Sequence, residues 1–310
     1  MSKYSKPSPK MIGISAAVIS AMVFGMVPFF MKTIIAGGGT TLSGAFYRFA
    51  LSLPVLFAVI KYKKTDMRIT KQDFLKICLI TIFGYGGTAV LLFSSYNFIP
   101  TGMSTTIHFV YPVFTILGCI IFLKAKVSPL KNLCALLCMG GILLFYDGDS
   151  ASSLPGIGLA FLSGMTYSFY IIYLKKSGLQ QMDAIKLIFY MNSVASVMIF
   201  IMAQTSGSFT ADLTAEAWVT AVIFAAVVSL VGVFGFQLGV KHIGPESAAI
   251  LSTFEPITSL VVGAVLYDET FSAKALLGCV CILSSVIIVA GMSLSVKVNS
   301  ACKGKFHMKD

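Results

Sequence analysis

The chain has 310 residues, of which 57% are hydrophobic and 11% charged, and its mean hydropathy is +0.89. Because soluble domains carry about 25% charged residues, this composition excludes a soluble globular protein and favours an all-α integral membrane protein with the lipid bilayer as its solvent. The net charge of +11 does not indicate nucleic-acid binding, since the lysines lie between apolar blocks and not in a basic stripe interleaved with aromatic residues.

Apolar blocks of about 20 residues, the length that a helix needs to cross the hydrocarbon core, recur along the chain. Their bounds predict ten transmembrane helices, at 11–31, 42–60, 74–95, 102–123, 130–147, 154–174, 185–203, 216–240, 246–267 and 273–295. We expect the first block to be retained as a span, because it is longer than the apolar region of a signal peptide. Two short basic tails, 1–10 and 296–310, flank the helices.

Lysine and arginine concentrate on alternate connections, and this bias predicts the orientation of the helices. With the N-terminus inside, 20 of the 23 basic residues fall on the cytoplasmic side, whereas the outer connections are mainly acidic. We therefore expect a multi-pass protein with both termini in the cytoplasm. The sequence contains no Asn-x-Ser/Thr acceptor, which favours the bacterial cytoplasmic membrane.

The two halves of the chain resemble each other, at 11–147 and 148–295. A shift of 143 residues, increasing to 144 further along the chain, pairs Gly13, Ser20, Phe46, Tyr47, Ile99 and Pro112 with Gly156, Ser163, Phe189, Tyr190, Ile243 and Pro256. Each half has five predicted spans, so the second half enters the membrane upside down. In agreement, the basic segment 61–71 corresponds to 204–216, which has no lysine or arginine. The sequence therefore predicts two inverted five-helix repeats.

A Glu-Pro pair, Glu255-Pro256, lies within the predicted ninth span, and Glu269 follows its end. Together with the spans and the duplication, this arrangement resembles the EamA-type members of the drug/metabolite transporter superfamily. The first half contains the partner segment 108–114, but Ala125 stands where the family commonly has a second Glu. The resemblance covers residues 11–295 and implies a transporter similar to exporters of amino acids, other metabolites and drugs.

Glu255 and Arg48 are the charged residues that lie well inside a predicted span and not at its ends. Near the midplane, an ionised carboxylate costs at least a few kcal/mol unless it is paired or hydrated. Glu255 is therefore a candidate for ion coupling or substrate binding, and the alternative is a structural role beside Pro256. Arg48 either faces a cavity, where it binds a substrate carboxylate or pairs with Glu255, or extends its side chain to the outer surface.

His108 and Tyr111 are further candidates for the same cavity. His108 lies at about the depth of Arg48, and Tyr111 is the equivalent of Glu255 in the first half. The histidine is a candidate for titration or for a hydrogen bond to substrate, although a buried histidine bonded to a carbonyl is commoner. Other polar and aromatic side chains that could line the cavity are Tyr85, Tyr96, Tyr167, Tyr170, Asn192 and Gln237.

Pro112 and Pro256 form an equivalent pair near the middle of the predicted fourth and ninth spans. Each removes a backbone hydrogen bond, so we expect two kinks at the midplane that act as hinges. The alternative is static curvature around a cavity.

The function that these features predict is secondary transport of a small metabolite by alternating access. No ATP-binding loop is present, so an ion gradient or the substrate gradient would supply the energy. The rival is a membrane-embedded enzyme acting on a lipid or peptide, for which the sequence offers no convincing set of catalytic residues. We expect no cofactor and no metal, and a homodimer remains an open alternative.

Overall fold

The computed structural model describes residues 8–99, 101–123, 129–144, 154–252 and 254–267, with scattered positions between 273 and 288. Within these residues the regular elements are all helical. In chain order the α-helices are α1 (Pro9–Gly25), α2 (Val27–Ala36), α3 (Thr41–Ala50), α4 (Ser52–Lys63), α5 (Lys71–Ile80), α6 (Gly86–Ser95), α7 (Thr101–His108), α8 (Tyr111–Leu123), α9 (Pro129–Leu143), α10 (Leu154–Lys176), α11 (Ala184–Thr205), α12 (Ala215–Val227), α13 (Phe234–Ile243), α14 (Pro245–Leu251) and α15 (Phe254–Tyr267). Two π-helical segments are also present, Thr81–Tyr85 and Val228–Val233.

Six helical stretches of the described chain are long and apolar enough to cross a membrane. They are Pro9–Ala36, Thr41–Lys63, Lys71–Ser95, Leu154–Lys176, Ala184–Thr205 and Ala215–Ile243. They overlap the predicted first, second, third, sixth, seventh and eighth spans. The predicted fifth span overlaps the shorter helix α9, and more than half of the tenth lies outside the described residues. The described residues thus have the helices of a multi-pass membrane protein.

Local sequence signals explain where several of these helices begin. The side chains of Thr40, Thr70, Asp183 and Thr214 each accept a hydrogen bond from the backbone N–H three residues later. Such caps satisfy N–H groups that have no partner within the helix.

The predicted fourth and ninth spans are interrupted. The fourth consists of α7 and α8, and the ninth of α14 and α15. We expected Pro112 and Pro256 to kink continuous helices, but each instead lies in the first turn of a new helix. A proline is tolerated there because the N–H that it lacks would have no helical partner. Each interruption leaves a helix N-terminus inside the protein, and the hinge role of the prolines stays a prediction.

The first helix of each half packs against the other half. Helix α1 lies along α13 and α15, and the equivalent helix α10 lies along α6 and α8. A Cβ atom added to Gly13 would lie 3.0 Å from Ile243 Cγ2, and one added to Gly156 would lie 3.0 Å from Ile99 Cγ2. Two residue pairs that the duplication matches therefore make the same contact when the halves are exchanged.

Two equivalent tyrosines each fasten a loop of the opposite half. Tyr47 on α3 donates a hydrogen bond to the carbonyl of Thr210 at 2.7 Å, and Tyr190 on α11 donates one to the carbonyl of Met67 at 2.6 Å. Both the tyrosines and the carbonyls are separated by the 143-residue shift of the duplication. The matched Phe-Tyr pairs in the sequence therefore have a common structural role.

Candidate functional site

The two helix interruptions meet at a small central cavity. His108, which ends α7, and Glu255, in the first turn of α15, both line it. Helix α3 contributes Arg48, and the helices of the predicted first and third spans contribute most of the remaining wall. The polar lining residues are Arg48, Tyr85, Thr88, Tyr96, Thr105, His108, Tyr167 and Glu255. Three of the four side chains that the sequence predicted for binding or coupling thus line one cavity.

Arg48 lies inside the protein and does not extend to the surface, since only 6% of it is exposed. Its guanidinium carbon lies 5.0 Å from the ring centroid of Phe49 and between 5.7 and 5.9 Å from four others, those of Phe24, Tyr85, Phe93 and Phe224. Aromatic faces attract a cation, particularly where it is desolvated. The rings therefore hold the guanidinium in place without neutralising its charge.

Within the described chain, Arg48 has no ion pair, and its Nε makes no hydrogen bond. The neighbouring Tyr85 hydroxyl is also without a hydrogen-bond partner among these residues. Buried polar groups in folded proteins are almost always hydrogen-bonded. The arrangement therefore leaves charged donors available to an anionic group that enters the cavity.

Glu255 faces the same cavity from the N-terminal turn of α15. Its backbone N–H donates to the carbonyl of Ser252 at 2.9 Å, and its side chain makes no ion pair with the described residues. The positive end of the helix dipole favours negative charge at this position, and so does the positive charge of Arg48 in the lining of the same cavity. These two effects offset part of the cost of a carboxylate at membrane depth.

Helix α1 approaches the Glu255 backbone closely at Gly25. A Cβ atom at Gly25 would lie 2.6 Å from the Glu255 carbonyl oxygen and 2.6 Å from Thr258 Cβ. The Gly25 carbonyl in turn accepts a hydrogen bond of 2.8 Å from Ser259. The missing side chain of Gly25 thus allows α1 to support the start of α15.

The hydrogen bonds of His108 define which of its ring nitrogens faces the cavity. Its Nδ1 lies 2.8 Å from Ser163 Oγ, whose proton is donated to the Ala160 carbonyl at 2.6 Å. Ser163 Oγ therefore accepts a hydrogen bond from the Nδ1–H group of His108. In this tautomer of the neutral imidazole, the other ring nitrogen, Nε2, is a hydrogen-bond acceptor. This polarity supplies a hydrogen-bond acceptor to a ligand, and it is the reverse of a serine nucleophile activated by histidine.

Tyr111 lies behind the cavity wall and not in its lining. Its ring centroid is 5.3 Å from that of His108 and 4.8 Å from that of Tyr167, and its residue is fully buried. Its carbonyl accepts a hydrogen bond of 2.8 Å from Ser168. Tyr111 therefore positions the start of α8 and the two rings that do face the cavity.

The remaining sequence candidates divide between the cavity and its surroundings. Tyr85, Tyr96 and Tyr167 line it. Asn192 instead donates hydrogen bonds to Ser52 at 2.6 Å and Ser229 at 3.0 Å, linking three helices outside the cavity. The sequence analysis did not select Ser163 as a site residue, although the duplication matches it with Ser20. It also did not select Thr88 and Thr105, for which the sequence carries no signal.

The cavity has a volume of about 40 Å³. A buried water needs about 10–15 Å³ measured in this way, whereas ligand pockets span about 300–1,000 Å³. The cavity in this conformation therefore has room for a few waters and is too small for a metabolite.

A model of the EamA-like transporter family matches residues 11–147 and 154–291. An uncharacterized transporter of Archaeoglobus fulgidus is 25% identical over 280 residues, covering 89% of this chain and 95% of that protein. Solute carrier family 35 member G1 of Mus musculus is 23% identical over 307 residues, covering 91% of this chain and 79% of the mouse protein. A crystal structure with 14% identity superposes with a TM-score of 0.75 over 93% of this chain and 99% of its own. The chain therefore belongs to the EamA-like transporter family of the drug/metabolite transporter superfamily, and it is a membrane transporter, not an enzyme.

Proposed function

We propose that the protein is a secondary transporter that exports a small carboxylate-bearing metabolite, such as an amino acid or a related compound. The observation that carries this proposal is the buried guanidinium of Arg48, which lines the cavity without an ion pair among the described residues. A planar guanidinium binds carboxylates in a bidentate manner. The direction of transport, export, comes from the resemblance of the sequence to exporters.

The opposite wall of the cavity suits a hydrogen-bond donor on the substrate. Glu255 and His108 Nε2 are both acceptors, and both residues line the cavity with Arg48. A substrate with a carboxylate and an ammonium or hydroxyl group would match these groups. Drugs without a carboxylate, the other substrates that the resemblance implies, would leave the guanidinium unpaired at a cost.

Alternating access is supported by the small volume of the cavity and by the interrupted helices around it. A metabolite fits only if helices move apart, and interrupted helices at the midplane are typical of transporters that work in this way. Pro112 and Pro256, in the first turns that follow the interruptions, are the proposed hinge residues.

Arg48→Ala is expected to weaken the binding of carboxylate substrates about tenfold or more, because a hydrogen bond to a charged group contributes about 1.5–3 kcal/mol. The measurement is a thermal-shift titration of the purified protein with amino acids and with their decarboxylated amines. Affinity for an amine that binds the parent should change less than twofold.

Two variants control this measurement. Arg68→Ala removes an exposed arginine from the loop before α5 and should leave all affinities unchanged. Arg48→Lys keeps the charge but loses the planar fork, so it should bind carboxylates with intermediate affinity. Equal losses for acids and amines in Arg48→Ala would mean that Arg48 is structural, which contradicts the proposal.

We further propose two inverted five-helix repeats in the bacterial cytoplasmic membrane, with both termini in the cytoplasm. The support is the exchange of equivalent contacts between the halves, in particular those of Tyr47 with Thr210 and of Tyr190 with Met67. An inverted repeat requires the two fastened loops to lie on opposite sides of the membrane.

Reporter fusions test this topology. Fusions at Ser152 and Ser208 should report the outside, and fusions at Lys63, Gly178 and Lys305 should report the cytoplasm. If Ser208 and Lys63 report the same side, the halves are parallel and the inverted repeat is wrong.

A further inference from the structure

A second, larger cavity opens between α8 and α10. It has a volume of about 720 Å³ and shares no lining residue with the central cavity. Its wall is mainly apolar and includes Leu117, Ile121 and Phe122 of α8 and Phe169 and Ile172 of α10. We call this cavity the α8–α10 groove.

The α8 side of the groove faces outward. Leu117, Ile121 and Phe122 are 48%, 68% and 56% exposed, and in a membrane protein such a face contacts hydrocarbon and not water. The floor is closed by Gly118, which is buried against Ile172. The groove is therefore an indentation in the lipid-facing surface, open to the bilayer along its length.

The length of the groove matches one leaflet. Its lining on α10 extends from Met165 to Ser177, which is about 18 Å at the rise of an α-helix. Half of the hydrocarbon core measures about 15 Å. Near the central end, Ser168 donates a hydrogen bond to the Tyr111 carbonyl at the start of α8, so the groove extends from the region of that interruption to the end of α10.

The other end of the groove is basic. Lys176 lines it and places its Nζ 5.1 Å from the ring centroid of Phe122, across the mouth between the two helices. Lys175 is exposed beside it. Basic residues at the cytoplasmic end of membrane helices attract anionic lipid headgroups.

We propose that the α8–α10 groove binds one anionic phospholipid of the cytoplasmic leaflet, with an acyl chain along its apolar wall and the phosphate at Lys176. The apolar length, the outward opening and the charge at one end together fit this ligand. An acyl chain in the groove contacts α8 up to its first turn, behind Tyr111. The bound lipid therefore stabilises the interrupted fourth span from outside the central cavity.

Native mass spectrometry of the purified full-length chain tests this proposal. We expect the protein to retain one dioleoyl phosphatidylglycerol about fivefold more tightly than dioleoyl phosphatidylcholine, the preference that one lysine contributes near a membrane surface. Lys176→Gln should abolish this preference. Ile121→Trp, which fills the groove from an exposed position, should weaken the binding of both lipids.

Lys61→Gln is the matched control. Lys61 is also an exposed lysine near a helix end, with its Nζ 5.3 Å from the ring centroid of Phe57, but it does not line the groove. Its replacement should leave the preference intact. The proposal is overturned if Lys61→Gln and Lys176→Gln change the lipid preference equally, or if Ile121→Trp binds phosphatidylglycerol like the parent. It is also overturned if Ile121→Trp converts a dimer to a monomer, because the occupant of the groove would then be a second copy of the chain.

Discussion

Glu255→Gln is expected to abolish the dependence of transport on the pH gradient and to leave folding and surface level intact. The amide has nearly the same shape as the carboxyl group but cannot take up or release a proton. If Glu255 is protonated in one orientation of the transporter and ionised in the other, its replacement removes the coupled proton. Substrate flux in proteoliposomes with and without an imposed pH gradient measures this effect.

Glu216→Gln is the control for this experiment. Glu216 also lies in the first turn of a helix, α12, but it is exposed. This variant should respond to the gradient like the parent. Should Glu255→Gln instead transport at the parental rate with unchanged gradient dependence, Glu255 is structural and the proposed coupling is wrong.

Gly25→Val is expected to destabilise the folded protein strongly. The new side chain would place its Cβ 2.6 Å from the Glu255 carbonyl oxygen and from Thr258 Cβ, and the nearest of these atoms belongs to helix backbone and cannot rotate away. Overpacking of this kind costs about 1–3 kcal/mol or more, and the two further methyl groups add to the clash. Surface level and the melting temperature of detergent-solubilised protein would both fall.

Gly158→Val is matched to this change. Gly158 lies within α10, the equivalent of α1, and its added Cβ would have no neighbour within 4 Å. Valine is a slightly better helix former than glycine, so this variant should melt at or above the parental temperature. Equal losses in both variants would show that the close approach of α1 to α15 is not what limits stability.

The sequence was most informative where a single physical requirement determines the structure. The helices at Thr41–Lys63 and Ala184–Thr205 could be predicted because the hydrocarbon core of the bilayer requires a spanning helix to be about 20 residues long and mainly apolar. The duplication also matched Tyr47 with Tyr190, and each of these tyrosines donates a hydrogen bond to a loop carbonyl of the opposite half. Arg48, His108 and Glu255 could be selected because polar groups are costly at membrane depth.

Other features could not be predicted because several backbone paths fit the same residues. A proline within an apolar block is compatible with a kink and with the first turn of a new helix, so Pro112 and Pro256 did not distinguish the two. The π-helical segment Thr81–Tyr85, which carries the cavity residue Tyr85, has no sequence signature. The rings of Phe49, Phe93 and Phe224 around Arg48 come together only through tertiary packing.

The exchange of helices between the halves has a consequence for biosynthesis. The hydroxyl of Ser20 on α1 bonds the carbonyl of Gly232, 212 residues later, so the first helix enters the membrane long before its partner has been translated. Domains generally fold as units during synthesis, but in this duplicated chain the first helix of each half packs mainly against helices of the other half. The main partners of α1, which are α13 and α15, therefore become available to it only late in synthesis.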